Sequence, residues 1–345
     1  MLDFGIKSIK SIPTPDGLRE EFPLPKEIFS KVVNPARETI KAIIDGEDTR
    51  LLLLVGPCSV HNADEAFEYA KKLSELIPKV KDKIFIAMRV CLDKPRTGRG
   101  WTGFFQDPDL NESRNIDKGW REGRKLIIKI LSLGIPVSME LLDVDARQNL
   151  DDVVSYWWIG ARTTTSQRLR EIASGLSAPV GFKNPTDGKI DSAVEAIDTA
   201  RHEASFVAAN GKGVRCVYYT CGNKNGHLIL RGFDGGPNYS AKDVSDAIKK
   251  LANRGLPQKV LIDVSHANSG KDYRKQKDII TEIGTRIASG EKGIAGFLYE
   301  SYLQEGNQKI PKDIASIKPN VSVTDSCDSF ETTEKVILSL REILK

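Results

Sequence analysis

Short runs of apolar and β-branched residues recur along the chain at 51–55, 84–90, 136–142, 158–161, 179–182, 205–208, 259–264 and 294–298. Between them lie longer stretches whose apolar positions return every three or four residues, at 63–76, 119–133, 166–174, 190–200, 241–251 and 271–289. Near-continuous apolar strands alternating with amphipathic helices mark a parallel sheet covered on both faces. Eight such strands in series predict an α/β fold of the closed (β/α)8 TIM-barrel type rather than an open doubly wound sheet. One segment interrupts the repeat: 214–220 and 227–231 flank 221–226, whose Asn225-Gly226 pair is a strong turn signal. It predicts a β-hairpin, over about 214–231, inserted between the sixth and seventh strands. Residues 1–50 carry Pro13, Pro15, Pro23, Pro25 and Pro35 and read as an N-terminal extension with one helix near 35–45, serving oligomerisation or regulation. Residues 51–345 then form a single catalytic barrel.

The 345 residues exceed the roughly 250 of a plain barrel, and the extension, the hairpin and long loops take up the surplus. Lys and Arg number 51 against 47 Asp and Glu, for a net charge of +4, with opposite signs interspersed. That excludes a disordered tail and gives no sign of a nucleic-acid binder. No stretch approaches the ~18 apolar residues of a membrane span, and the first 15 positions lack a signal-peptide core. Five cysteines, an odd number widely spread, suit a reducing compartment. The expectation is a cytoplasmic protein with neither nucleic-acid nor membrane partners.

In a barrel of this kind the chemistry lies where strands end, so the residues closing each apolar run carry the functional information. They are rich in cations: Arg89, Lys94, Arg96, Arg162, Lys183 and Arg231 would all converge on one mouth. Like charges so packed repel unless an anion joins them, which implies a substrate with phosphate and carboxylate groups. A second set comprises Cys58, His266, Glu300 and Asp325: one thiol, one imidazole and two carboxylates, able to hold Mn, Fe, Co or Zn. Their spacing carries no local metal signature. On spacing alone they read as a buried cysteine, a loop histidine and two surface acids.

The strings Gly56-Pro57-Cys58-Ser59, Lys94-Pro95-Arg96-Thr97, Gly160-Ala161-Arg162-Thr163-Thr164, Gly181-Phe182-Lys183-Asn184, Pro237-Asn238-Tyr239-Ser240, Asp263-Val264-Ser265-His266-Ala267-Asn268 and Glu305-Gly306-Asn307-Gln308 together resemble the type I 3-deoxy-D-arabino-heptulosonate 7-phosphate (DAHP) synthases, over nearly the whole chain. The resemblance implies a (β/α)8 barrel that condenses phosphoenolpyruvate with erythrose 4-phosphate, the first step of the shikimate route to aromatic amino acids. It places Cys58, His266, Glu300 and Asp325 on the ligands of one divalent metal ion, and Arg89, Ala161, Arg162, Lys183 and Arg231 on the phosphoenolpyruvate site. Lys94 falls beside the reacting aldehyde and Pro95, Arg96 and Thr97 on the segment holding the sugar phosphate. Lys94, Arg162, Lys183 and His266 are the implied catalytic residues, with Asp325 also near substrate. A homodimer or homotetramer is implied as well.

Several positions depart from that pattern. Gln148, Leu176, Ser177 and Phe206 are retained in the pocket where many relatives bind an inhibitory aromatic amino acid, but Arg147, Ala208 and Tyr218 replace residues usual there. Weakened or altered feedback inhibition is the expectation. Trp157-Trp158, Thr165 and Met139 stand near the site where other residues are usual, and either repack the core or alter the acceptor aldehyde. Cys327, two residues beyond Asp325, either packs as a small residue or pairs with Cys58 on oxidation when metal is absent. The alternatives kept open are a specialised-metabolism relative using another aldehyde, an octulosonate-phosphate synthase, a metal-dependent hydrolase, and a non-catalytic phosphosugar-binding barrel.

Overall fold

A computed structural model describes residues 5–96 and 98–344; Thr97 of the expected sugar-phosphate segment lies outside the described residues. The strands are β1 (Leu51–Gly56), β2 (Ile84–Arg89), β3 (Val137–Glu140), β4 (Tyr156–Ile159), β5 (Val180–Lys183), β6 (Ser205–Ala209), β7 (Arg215–Tyr219), β8 (Gly226–Leu230), β9 (Val260–Asp263), β10 (Ile294–Tyr302) and β11 (Asp328–Ser329). Strands β1 to β5 and β8 to β10 pair in parallel, and β10 returns to β1 with Leu52 opposite Gly296 and Gly56 opposite Glu300. Among the described residues this closes an eight-stranded barrel, the predicted TIM-barrel architecture. The helices are α1 (Pro15–Glu21), α2 (Lys26–Ile28), α3 (Asn34–Asp45), α4 (Ala63–Val80), α5 (Ile116–Ser132), α6 (Val144–Leu150), α7 (Gln167–Ser174), α8 (Ile190–Ala200), α9 (Ala241–Asn253), α10 (Gln276–Ala288) and α11 (Phe330–Ile343).

The hairpin differs from expectation in place and composition. It is built from β6 and β7, antiparallel with Val207 opposite Val217, and lies between the fifth and sixth strands of the barrel. The segment 227–231, expected as a hairpin arm, belongs to barrel strand β8 and its exit, and 205–208, expected as a barrel strand, is the hairpin's first arm. Burial explains the exchange. β8 is buried at every position, as a strand enclosed on both faces must be, whereas β6 alternates exposed and buried like a surface ribbon. The turn falls at 210–213, where Asn210 Oδ1 accepts from the backbone of Lys212 and Val214, rather than at Asn225-Gly226.

Alternate strand residues separate into two cores. Leu51, Leu53 and Val55 face the helices, while Leu52 and Leu54 join Ala87, Cys91, Tyr156, Trp158, Ile229, Leu261 and Leu298 inside the barrel. The extension takes part in this interior. Helix α3 presents Ile40, Ile43 and Ile44 on one face, all buried in the inner cluster, so it plugs the end of the barrel opposite the strand exits. Gly46 stops that helix in the left-handed region, at φ 81°, and its N–H reaches the carbonyls of Ala42 and Ile43. Beyond the one helix expected there, the extension also carries α1, started by the Thr14 cap and the following proline.

One polar pair interrupts the inner core. The Tyr156 hydroxyl donates to His227 Nε2 at 2.8 Å, and His227 Nδ1–H faces the Asn225 carbonyl at 3.3 Å, so the imidazole is satisfied as the neutral form. Burial lowers the His227 pKa from 6.5 to about 4. The unfolded chain therefore takes up this proton first, and folding stability contributed above pH ~6.5 is lost as pH falls toward 4, by on the order of 3 kcal/mol. Urea unfolding at pH 7 and pH 4.5 should show this loss, and His227→Gln should flatten it. An unchanged slope in the variant would refute the assignment. No helix among the described residues is long and apolar enough to cross a membrane.

Candidate active site

The strand exits bring the expected residues to one mouth. Arg89 ends β2, Lys183 ends β5 and Glu300 lies in β10. Cys58 follows β1 by two residues, Arg231 follows β8, His266 follows β9, and Asp325 precedes β11. Gly56, at φ 151°, lets β1 leave the barrel against Arg89: an added Cβ would sit 2.7 Å from the Arg89 carbonyl oxygen. That close approach carries Pro57 and Cys58 over the mouth.

The ligand atoms of Cys58, Glu300 and Asp325 all lie within 4.8 Å of one another. Cys58 Sγ is 3.7 Å from Asp325 Oδ2, and His266 Nε2 is 3.9 Å from Glu300 Oε1. His266 thus abuts the cluster through Glu300, while the other three expected ligands form it. Its backbone sits at φ 30°, a strained conformation of the kind held at functional positions. Burial, and then the Glu300 carboxylate, push the Cys58 thiol up to about 12. A thiol, an imidazole and two carboxylates gathered this closely fit a divalent cation, which would reverse that shift by binding the thiolate. The Cys58 amide donates to Cys327 Sγ at 3.4 Å, so the second cysteine lies beside the cluster.

The cations line the other side. Arg89 is 2% exposed; its Nη2 pairs with Glu300 Oε1 at 2.9 Å, while Nε and Nη1 have no hydrogen-bond partner among the described residues. Buried guanidinium donors without acceptors are costly, and an anion would satisfy them. Lys183 Nζ donates to Asp263 Oδ2 at 2.6 Å, with both groups buried. Burial lowers the Arg231 pKa, and the nearby Arg162 adds to that effect, while Asp263 opposes it. Lys94 is raised: burial disfavours its charge, but Cys58, Glu300, Cys91 and Glu140 outweigh burial. Arg162 and Arg96 stand exposed at the rim, with Ala161 and Pro95 half-buried beside them.

Several supporting residues had not been singled out. Asp263 is fully buried between Lys183 and His266, whose Nδ1 is 2.9 Å from its Oδ2. Burial would raise its carboxyl, yet His266 and Lys183 hold it well below the usual range. Gln276 fixes Glu300 by bonding both its amide and its carbonyl, at 3.1 and 3.0 Å. Three buried asparagines tie the loops together: Asn184 Oδ1 accepts from the Arg231 amide at 2.9 Å, Asn238 Oδ1 from the Gly232 amide, and Asn268 Oδ1 from the Asn238 amide. An acid closing an otherwise apolar strand was the available signal for Asp263.

The expected effector residues gather away from this mouth, near the hairpin. Leu176 and Phe206 are buried, and Ser177 Oγ accepts from Arg37 at 2.8 Å. Both amide atoms of Gln148 are buried without partners among the described residues. Tyr218 stacks on Phe206 at 5.3 Å with 9° between planes, and Arg147 covers its ring at 5.3 Å. The tyrosine hydroxyl donates to the Ala209 carbonyl at 3.1 Å.

Known proteins resemble this chain over nearly its whole length. The profile of the DAHP synthetase I family matches residues 29–337. The chain is 43% identical to the Phe-sensitive phospho-2-dehydro-3-deoxyheptonate aldolase of Escherichia coli K12, over 99% of this chain and 97% of that one. It is also 43% identical to the Trp-sensitive enzyme of Enterobacter agglomerans, over 97% and 95%. The structure of phospho-2-dehydro-3-deoxyheptonate aldolase from Francisella tularensis superimposes with a TM-score of 0.95 at 42% identity, covering 98% of each chain. Since the match spans both the strands that close the barrel and the loops that carry the cluster, the chain belongs to the DAHP synthetase I family.

Proposed function

We propose that the chain condenses phosphoenolpyruvate with erythrose 4-phosphate to give DAHP and phosphate, the first step of the shikimate route. The observation that carries this reading is the meeting, at one barrel mouth, of the thiol–carboxylate cluster with the unsatisfied donors of Arg89. Cys58, His266, Glu300 and Asp325 would hold one divalent metal, which supplies Lewis-acid activation of the aldehyde when bound. Arg89, Arg162, Lys183 and Arg231 hold the phosphate and carboxylate of phosphoenolpyruvate, so that its carbon 3 faces the aldehyde carbon. Lys94, beside the Glu300 and Glu140 carboxylates that favour its charged form, gives its proton to the aldehyde oxygen as the carbon–carbon bond forms. Water then adds at carbon 2, and phosphate leaves by carbon–oxygen cleavage with the cation cradle stabilising its charge. Pro95, Arg96 and Thr97 would hold the phosphate of the sugar.

The deciding experiment follows phosphoenolpyruvate loss and phosphate release with erythrose 4-phosphate, arabinose 5-phosphate or an amino-sugar phosphate, with and without chelator. Chelator-sensitive turnover with erythrose 4-phosphate is expected. Preference for another acceptor would replace the substrate, and no turnover with any would refute the enzyme reading.

The Gln148, Leu176, Ser177 and Phe206 pocket is the regulatory site in this reading, and Tyr218 fills it. A ring stacked on Phe206 occupies the volume an aromatic effector needs, and Ala208 offers it no hydroxyl. Titration with Phe, Tyr and Trp should give no submillimolar inhibition. Tyr218→Val should gain sensitivity to at least one of them, and submillimolar inhibition of the parent would refute the idea.

The assembly is a homodimer or homotetramer in this reading. Large exposed apolar residues include Ile6, Ile9 and Ile12 in the extension and Val207, Val217 and Tyr219 on the outer face of the hairpin, surfaces suited to a second copy. Sedimentation at micromolar concentration should show that assembly, and a monomer would count against it.

A further inference from the structure

Trp158 occupies the inside of the barrel directly among the buried charges. Its neighbours across the sheet are Glu140 on β3 and Gly181 on β5, and it is 1% exposed. The Arg89 guanidinium carbon lies 5.0 Å from the centre of its ring, and Lys183 Nζ lies 5.8 Å away. These are two of the cations assigned to phosphoenolpyruvate. Each has one carboxylate partner: Arg89 holds Glu300 at 2.9 Å and Lys183 holds Asp263 at 2.6 Å. His266 bridges those two carboxylates, with Nδ1 2.9 Å from Asp263 and Nε2 3.9 Å from Glu300. The contacts therefore run in a closed circuit, from Trp158 through Arg89, Glu300, His266, Asp263 and Lys183 back to Trp158.

The indole is the one member of this circuit with no charge and no role in holding metal or substrate directly. Its ring lies against both cations inside the barrel, where Cys91 Sγ, 3.9 Å from Arg89 Nη2, is a further neighbour of the guanidinium. The electron-rich faces of aromatic rings attract cations, most strongly where water is excluded, and indole offers the best such face among the side chains. A flat, rigid ring also fixes where both heads can rest. An Arg89 whose Nε and Nη1 have no partner among the described residues has few other contacts to hold its plane.

We infer that Trp158 is a positioning residue for phosphoenolpyruvate: its indole face holds Arg89 and Lys183 at the spacing and orientation that receive the ligand's phosphate and carboxylate. The inference rests on the assignment of those two cations to phosphoenolpyruvate. Because Trp158 contacts neither the sugar-phosphate segment nor the thiol among the contacts above, its effect falls on one substrate.

The test compares Trp158→Leu, Trp158→Phe, Arg89→Ala and the parent as full-length, metal-loaded protein. Calorimetry measures phosphoenolpyruvate affinity, steady-state assays measure KM for each substrate separately, and bound metal is counted. Trp158→Leu should weaken phosphoenolpyruvate binding and raise its KM about ten-fold, equivalent to ~1.4 kcal/mol, with KM for erythrose 4-phosphate and metal content unchanged. Trp158→Phe, which keeps an aromatic face, should recover most of the affinity. A space-filling role alone would instead leave the Leu and Phe variants alike, or weaken both substrates and metal together; either result overturns the inference, as does parental affinity in Trp158→Leu. If Arg89→Ala keeps parental affinity for phosphoenolpyruvate, the cation assignment has failed and the inference falls with it. If Arg89→Ala loses affinity and Trp158→Leu does not, the inference alone falls. Should Trp158→Leu prove insoluble, Trp158→Met takes its place, with the same expected and overturning results.

Discussion

Removing divalent metal with a chelator should lower DAHP formation by about a thousand-fold or more, and added divalent metal should restore it. The donors that would hold the ion sit within 4.8 Å in Cys58, Glu300 and Asp325, with His266 alongside Glu300. Loss of a single group that stabilises a developing oxyanion costs about a hundred- to a thousand-fold in rate. His266→Ala should show a comparable loss that added metal does not repair, since the imidazole is missing at any metal concentration. Metal content after dialysis and turnover before and after re-addition are the measurements. Full activity in the chelated chain would refute the metal assignment.

Lys183→Met should damage both stability and turnover. Lys183 is 5% exposed and Asp263 is 0% exposed, and they meet at 2.6 Å. Removing the cation leaves a buried carboxylate without its direct ion-pair partner, and breaking such pairs costs about 3–5 kcal/mol. The double variant Lys183→Met/Asp263→Asn removes the orphaned charge and should regain much of that stability. It should not regain turnover, because the substrate's anionic group still lacks Lys183. A loss in kcat/KM of about a hundred-fold or more is expected for both variants. Urea unfolding and steady-state kinetics separate the two effects, and a double variant that recovers activity would show Lys183 to be structural only.

The arrangement of the site explains why these effects are large. Anionic metal donors and cationic substrate donors share residues: Glu300 serves the cluster and holds Arg89, and Asp263 serves both Lys183 and His266. Arg89 with Glu300 and Lys183 with Asp263 are each buried against an opposite charge, so removing either member leaves the other without its direct partner. The carboxylates also offset the cations before substrate arrives. The Nε and Nη1 atoms of Arg89, without a partner among the described residues, then stand as a demand for an anion.

Much of this was legible in the chain. β1 and β2 read as apolar runs because both faces of a barrel strand are buried, and the polar residues that stop those runs, Cys58 after β1 and Arg89 at the end of β2, are the ones at the mouth. The hairpin was not legible. Runs at 205–208 and 227–231 are alike in length and apolarity, and only closure of the barrel separates the half-exposed β6 from the enclosed β8. The adjacent tryptophans pose a similar problem. Strand side chains alternate faces, so one of Trp157 and Trp158 had to point inward, but nothing local says which. Pairing with β3 and β5 turns Trp158 inward to the charges and Trp157 outward to the helices.

The sequence by itself determined the barrel class, the strand exits that carry function, and the chemical character of the site, because hydrophobic period and residue type are local properties. Tertiary structure alone decided the partners: His266 against Glu300, Asp263 between Lys183 and His266, Trp158 beneath two cations, and α3 as the plug of the barrel. Apart from Asp263 and His266, three positions apart, those residues are separated by tens to hundreds of positions along the chain. Which buried charges meet is set by strand order and register around the closed sheet, and no local pattern encodes that register.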